Sequence, residues 1–203
     1  MISFKNQPFP LLVATPALSV QAMDEVRREA LAIWTAGLSA PNTSNATDGS
    51  GSSLKSGSGV FLDQLYPTRS NSKIILHTER LIASDIWESA TEDWFLKTTL
   101  ERTNRHTTLL NFYLPGQEYL AHMDAGEISV ILTFSESGSS FAGGEITFPD
   151  YDLTIPHSDN QVVIFPSIIR HQVLKVHCEP TDNPVRYSVV LLLHYVYNPK
   201  NSD

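Results

Sequence analysis

The chain reads as a mainly β protein of the α+β class, with helices first and then about eight strands folded on themselves as an antiparallel sandwich or barrel. Three observations predict this. From His106 onward, β-branched and aromatic residues recur with period two. Turn residues interrupt that stretch at short intervals: Pro115-Gly116, Asp124-Ala-Gly126, Ser137-Gly138, Gly143-Gly144, Pro149-Asp150, Ser158-Asp-Asn160 and Asp182-Asn-Pro184. Before His106 the apolar residues instead recur at helical spacing. At 203 residues and 41% hydrophobic, the chain can bury a real core, and residues 1–203 read as one domain.

The first helix is predicted to open at Ser19, whose hydroxyl can cap, with Asp24 and Glu25 near the positive end of the dipole. Met23, Val26, Ala30 and Ile33 or Trp34 share one face, and Gly37 is the expected stop. Over residues 37–59, sixteen of 23 residues are Gly, Ser, Thr or Asn, a composition that buries little and predicts a flexible loop. A second helical region is expected over residues 79–102, with a restart at Thr91 and a core face of Trp87, Trp94, Phe95 and Leu100. Strands follow at residues 106–114, 118–123, 128–134, 145–148, 152–155, 161–165, 172–176 and 186–197.

Composition removes several function classes. Lys and Arg number 14 against 22 Asp and Glu, and the net charge of −8 repels nucleic acid. The single cysteine, Cys178, can build neither an internal disulfide nor a thiolate cage. No apolar run is long enough to span a bilayer. The apolar stretch at residues 8–20 is broken by Pro8, Pro10 and Pro16 and makes a poor signal peptide, so a cytoplasmic location is expected, without a membrane partner.

His122-Met123-Asp124 ends a predicted strand. Residues two apart on a strand share a face, so an imidazole and a carboxylate converge there. His171 opens another strand. Two His and one carboxylate leave adjacent positions open on a metal, which suits non-haem Fe(II); two unrelated histidines at strand ends give the same pattern. Arg186-Tyr187-Ser188 opens the last and most apolar strand, with Arg186 and Ser188 on one face. A guanidinium inside a barrel needs an anion, and no acidic residue shares its strand. A ligand carboxylate held bidentately, with Ser188 as a further donor, is the simplest partner. A rim arginine paired with a loop acid is the plainer alternative. His77, His106, His157, His177 and His194 have no carboxylate at short spacing and read as structural histidines.

These residues sit in a recognisable frame. Asn111-Phe-Tyr113-Leu-Pro-Gly116-Gln117-Glu-Tyr119-Leu-Ala-His122-Met-Asp124 resembles the Tyr-x-x-Gly-Gln-x-Tyr-x-x-His-x-Asp run of the prolyl 4-hydroxylase branch of 2-oxoglutarate- and Fe(II)-dependent dioxygenases. Gly143-Gly144-Glu145-Ile-Thr-Phe148-Pro149 is similar to that branch's Gly-Gly-Glu-Thr-x-Phe-Pro hairpin, and His171 and Arg186-Tyr-Ser188 follow in family order. Ser56-Gly-Ser-Gly59-Val-Phe-Leu62 resembles a Ser-Ser-Gly-x-Phe-Leu segment of plant and algal members. The likeness runs from about Pro8 to Tyr197.

The resemblance implies a double-stranded β-helix, or jelly roll, flanked by helices. It implies His122, Asp124 and His171 as Fe(II) ligands and 2-oxoglutarate and O2 as cosubstrates. By position, Arg186 takes the distal carboxylate of 2-oxoglutarate, Tyr113 lies against the cosubstrate, and Thr133 stands where many members have a second tyrosine. Tyr119 and Tyr66 are candidate substrate walls, and the 37–59 loop, with residues 63–73, a candidate cover. Two features depart from the classical prolyl 4-hydroxylases: Arg186 replaces their lysine, and the interval from His171 to Arg186 is longer than usual. The carboxylate Asp124 argues against halogenation. Three readings of function follow: a hydroxylase of a prolyl or other peptide residue that releases succinate and CO2, a hydroxylase of a free amino acid or small metabolite, and a non-catalytic metal-binding jelly-roll module. The sequence leaves oligomeric state open.

Overall fold

Alternating side chains on the long strands decide the layering, because each strand has an apolar face on both sides. In the computed structural model, which describes residues 2–5, 7–43, 46–82, 94–136 and 140–196, the elements run β1 (Ile2–Lys5), β2 (Leu11–Ala14), α1 (Val20–Thr35), β3 (Ala40–Pro41), β4 (Ser58–Phe61), α2 (Leu62–Leu65), α3 (Lys73–Ile82) and α4 (Trp94–Arg102). The β half follows: β5 (Arg105–Tyr113), β6 (Tyr119–His122), β7 (Ile128–Ser135), β8 (Ala142–Gly143), β9 (Ile146–Phe148), β10 (Leu153–Ile155), β11 (Gln161–Pro166), β12 (His171–Val173), β13 (Val176–His177) and β14 (Arg186–His194).

An eight-stranded sheet, in the order β1-β2-β11-β7-β14-β5-β4-β3, faces a four-stranded sheet, β10-β9-β12-β6. This is a jelly roll with helices against its outer face. Val190 on β14 pairs with Leu109 on β5 and Ile131 on β7. These three pack with Ile146 and Phe148 of the smaller sheet to fill the interior between sheets. The intervening residues Val189, Leu110 and Leu132 point the other way and pack under Met23 and Val26 of α1 and Ile74 of α3. Each fully buried aliphatic side chain contributes about 1.5–3 kcal/mol on either face.

Ser19 caps α1 as expected, accepting from the Ala22 amide at 3.3 Å, and Gly37 adopts φ +65° just past its end. The second helical region differs from expectation. It begins at Lys73 rather than residue 79, because Ser72 accepts from the Ile75 amide while Glu29 of α1 accepts from Ser72 Oγ and the Ile74 amide. That cap depends on a residue from another helix, which local spacing does not show. The restart at Thr91, Trp87, the side chains of Trp94 and Phe95, Tyr197 and the Ser137-Gly138 turn lie outside the described residues. Two strands went unpredicted at the N-terminus. β2 pairs with β11, and Pro8 and Pro10 stand in the connection between β1 and β2, not in a ladder. Within residues 37–59, β3 and β4 pair, and Thr47 bridges Ser53. Among the described residues, no helix is long and apolar enough to cross a membrane.

Candidate metal and cosubstrate site

Antiparallel pairing of β12 with β6 sets His171 directly opposite His122. Their rings lie 4.4 Å apart at the mouth between the sheets. His122 Nδ1 donates to the Leu120 carbonyl at 2.8 Å, and His171 Nδ1 donates to that of Ile169 at 3.1 Å. A nitrogen facing a carbonyl must carry the proton, which turns each Nε2 toward the site as the ligand atom. They converge on Asp124, with His122 Nε2 3.6 Å from Oδ1 and His171 Nε2 3.5 Å from Oδ2. One ligand atom from each of the three residues lies within 4.8 Å of the others. Two imidazole nitrogens and a carboxylate, all aimed at one point, form a donor set for a divalent cation.

Asp124 is held from behind. Ser129 Oγ donates to its Oδ2 at 2.6 Å, the Ser129 and Ser167 hydroxyls lie 2.8 Å apart, and its amide donates to the Ser167 carbonyl at 3.1 Å. Burial would raise its pKa, but its contacts with His122, His171 and the Ser129 hydroxyl together hold it below the usual range. Burial drives His171 down to about 4, so it stays a neutral ligand. Tyr119 stacks on His122 at 3.6 Å, and Phe165 presents its edge to His171 at 4.8 Å. The rings walling the histidines are thus mostly apolar.

Arg186 opens β14 opposite Tyr113 of β5 and is 0% exposed. Its Nε donates to the Gly144 carbonyl at 2.8 Å, and its guanidinium carbon lies 4.9 Å from the centre of the Tyr113 ring. Among the described residues, neither Nη1 nor Nη2 has a partner. Gly144 permits this approach: at φ +73° it turns left-handed, and a Cβ there would stand 2.7 Å from Arg186 Cδ. Burial lowers the guanidinium's pKa, opposed by the Tyr113 hydroxyl and the Glu145 charge. Tyr113 is itself raised by burial and interacts with both Arg186 and Asp124, so a protonated phenol lies between the cation and the triad. A buried cation with two free donors in one plane fits a ligand carboxylate.

The structure therefore brings together eight of the nine residues singled out for metal, cosubstrate and substrate. Ser188 accepts from Asn111 Nδ2 at 3.2 Å and faces Thr133 across the β14–β7 pair. The Thr133 hydroxyl is turned toward the Ser158 and Gln161 carbonyls, at 3.3 and 3.4 Å. Tyr119 lies beside His122. Tyr66 is elsewhere: it packs on the helix side of the large sheet and bonds Glu29 of α1, and burial and that carboxylate raise it to about 12. A loop leaving α2 delivers it to the outer core, so its role as a substrate wall finds no support there.

Several residues were missed. Ser129 and Asn111 stand at inward positions of predicted strands, a signal that alternation contains. Lys55, 1% exposed, donates from Nζ to the Thr43 carbonyl at 3.1 Å and to Asn111 Oδ1. Nothing in the polar stretch around it marks it for burial.

This geometry puts three residues that could hold a metal ion and a buried guanidinium with two unpartnered donors inside a jelly roll. Residues 108–194 match the model of the 2OG-Fe(II) oxygenase superfamily. A Pseudomonas putida prolyl-4-hydroxylase is similar in fold, with a TM-score of 0.64 and 14% identity over 92% of this chain and 93% of that one. A prolyl hydroxylase from Trichoplax adhaerens, in complex with a peptide of the hypoxia inducible factor oxygen degradation domain, gives 0.65 and 12% over 91% and 83%. The viral collagen prolyl hydroxylase of Paramecium Bursaria Chlorella virus-1, as a 2OG complex, gives 0.56 and 14% over 91% and 96%. No curated protein matches the sequence. The match to the 2OG-Fe(II) oxygenase superfamily thus covers the stretch that carries His122, Asp124, His171 and Arg186, and the whole fold is similar to that of prolyl 4-hydroxylases. A match to that family implies Fe(II), 2-oxoglutarate and O2 as cofactor and cosubstrates.

Proposed function

We propose that this chain hydroxylates an unactivated C–H bond of a prolyl or other peptide residue, converting 2-oxoglutarate to succinate and CO2. The observation that carries the reading is Arg186: a fully buried guanidinium with two unpartnered donors, on the same inner surface as the His122, Asp124 and His171 donor set. A module that only held metal would have no use for that costly cation.

His122, Asp124 and His171 would hold the Fe(II), and Arg186 would take the distal carboxylate of 2-oxoglutarate, with Ser188 and the Tyr113 hydroxyl beside it. Bound there, Fe(II) with 2-oxoglutarate and O2 supplies the oxidising power that opens the C–H bond. The protein's own work is placement. Ser129 fixes the carboxylate, Leu120 and Ile169 fix the imidazole tautomers, and the Tyr119 and Phe165 rings keep water from the ligands.

An extended peptide is favoured by what lies over the site. The Leu120 amide donates to the Leu54 carbonyl at 2.8 Å, Lys55 bridges Tyr119, and Ala46 and Leu54 pack on the Tyr113 and Tyr119 cluster. The Gly/Ser-rich segment therefore lies along the strand that carries His122, where a long substrate would pass. A similar fold binding a peptide, in the Trichoplax protein, points the same way. Succinate release measured against Pro-rich peptides and against free amino acids tests the reading. Stimulation by peptides supports it. Stimulation by amino acids alone would transfer the activity to small metabolites, and no succinate under any condition would end the enzyme reading.

A further inference from the structure

Arg186 does not line its pocket alone. Among the described residues, both ring nitrogens of His157 are buried and without a hydrogen-bond partner. Its ring lies 4.8 Å from that of Phe141. Phe141 and the Arg186 side chain both close on Gly144, where a Cβ would meet Phe141 Cε2 at 3.2 Å and Arg186 Nε at 3.1 Å. The next residue, Ser158, meets the inner face of the large sheet through its carbonyl and Thr133 Oγ1. His157 thus sits against Phe141, one residue before the Thr133 contact, within the field of the guanidinium. Two polar groups with unmet donors at one place require a shared acceptor, because each would otherwise carry its full desolvation cost.

We infer that His157 is a further binding residue of this pocket, its ring N–H donating to the distal carboxylate of the 2-oxo dicarboxylate that Arg186 anchors. The inference rests on the 2-oxoglutarate site proposed above. Thr133 makes room for it: its side chain is short, and its hydroxyl is turned toward backbone carbonyls. Burial and the neighbouring guanidinium, against the weaker pull of Asp159, bring His157 down to about 4. The ring is therefore a neutral donor that adds no charge repulsion beside Arg186. Arginine supplies charge and two parallel bonds, and the imidazole supplies a third, directional bond that selects a carboxylate at this depth.

The test is binding, not turnover. 2-Oxoglutarate and pyruvate, which lacks the distal carboxylate, are titrated into the Mn(II)-loaded chain, wild type, His157→Phe and His157→Gln. Phe keeps a ring against Phe141 and removes both N–H positions; Gln returns one. The expected result is a loss of about 10-fold or more in 2-oxoglutarate affinity for His157→Phe. Pyruvate and Mn(II) affinities should stay unchanged, and His157→Gln should recover most of the loss. Unchanged 2-oxoglutarate binding in His157→Phe, an equal loss for pyruvate, or equal weakening by Phe and Gln would each overturn the assignment. Arg186→Ala is run in parallel. If it too leaves 2-oxoglutarate affinity untouched, the site reading itself fails, and that outcome is separate from the failure of His157.

Discussion

The side chains that touch the metal position are supported by others that do not. Ser129 is the clearest: its hydroxyl bonds Asp124 Oδ2 at 2.6 Å and meets Ser167 at 2.8 Å. Ser129→Ala should weaken Mn(II) binding by about 10- to 100-fold with the fold intact, since a ligand carboxylate freed from its outer partner loses orientation. Titration by calorimetry reads this directly, and undiminished affinity would mean that the serine pair only fills space. Lys55 offers a test of a different kind. Burial lowers its ammonium from 10.5 to about 7. Across that window the unfolded chain binds the extra proton, so stability rises with pH, by at most about 1.4 kcal/mol per unit. Denaturation at pH 7 and about pH 9 should show wild type gaining on Lys55→Met. Parallel changes would show that the Asn111 and Thr43 contacts fully replace the lost water. The residues most readily read from the sequence were those whose chemistry needs a partner: His122, Asp124, His171 and Arg186. Lys55 and His157 escaped because their isolation in the chain is ended only by tertiary packing. Tyr66 was misread because a phenol's chemistry does not say which side of a sheet it will reach.

Elements inherit their legibility from what they bury. The long strands alternate strictly, and β5, β7, β11 and β14 lie within one or two residues of their expected bounds, except that β14 ends at His194 rather than residue 197. β1 and β2 are short and separated by prolines, so their pairing was visible only once β11 lay beside β2. The outer core depends on the same alternation. Leu132 is fully buried under the helices, and Leu132→Ala should cost about 2–5 kcal/mol in chemical denaturation while sparing metal affinity. A cost below that range would mean that α1 and α3 settle into the space. The hairpin closed by Thr47 and Ser53 is tied at its tip by Asp48, which accepts from Ser50 and Ser52. Removing residues 47–53 leaves Thr43 and Lys55 in place. Iron and 2-oxoglutarate binding should persist, but succinate should then form with little hydroxylated product. Coupled turnover at the wild-type level would show that the hairpin does not cover the substrate.

At the scale of the whole molecule, one sheet serves two purposes. Its outer face is buried under helices and supplies rigidity, and its inner face changes from apolar at Leu109, Ile131 and Val190 to polar at Asn111, Ser188, Thr133 and Arg186. The smaller sheet adds the two histidines. The proposed cosubstrate and metal sites therefore belong to different sheets, and binding 2-oxoglutarate should require both. Isothermal titration of 2-oxoglutarate into the full chain, with and without Mn(II) as an oxygen-stable substitute for Fe(II), measures that dependence. The expected result is one molecule bound per chain, only when metal is present, with affinity about 100-fold lower in Arg186→Ala and Mn(II) binding unaltered. No binding to the metal-loaded wild type, or equal binding in Arg186→Ala, would contradict the account.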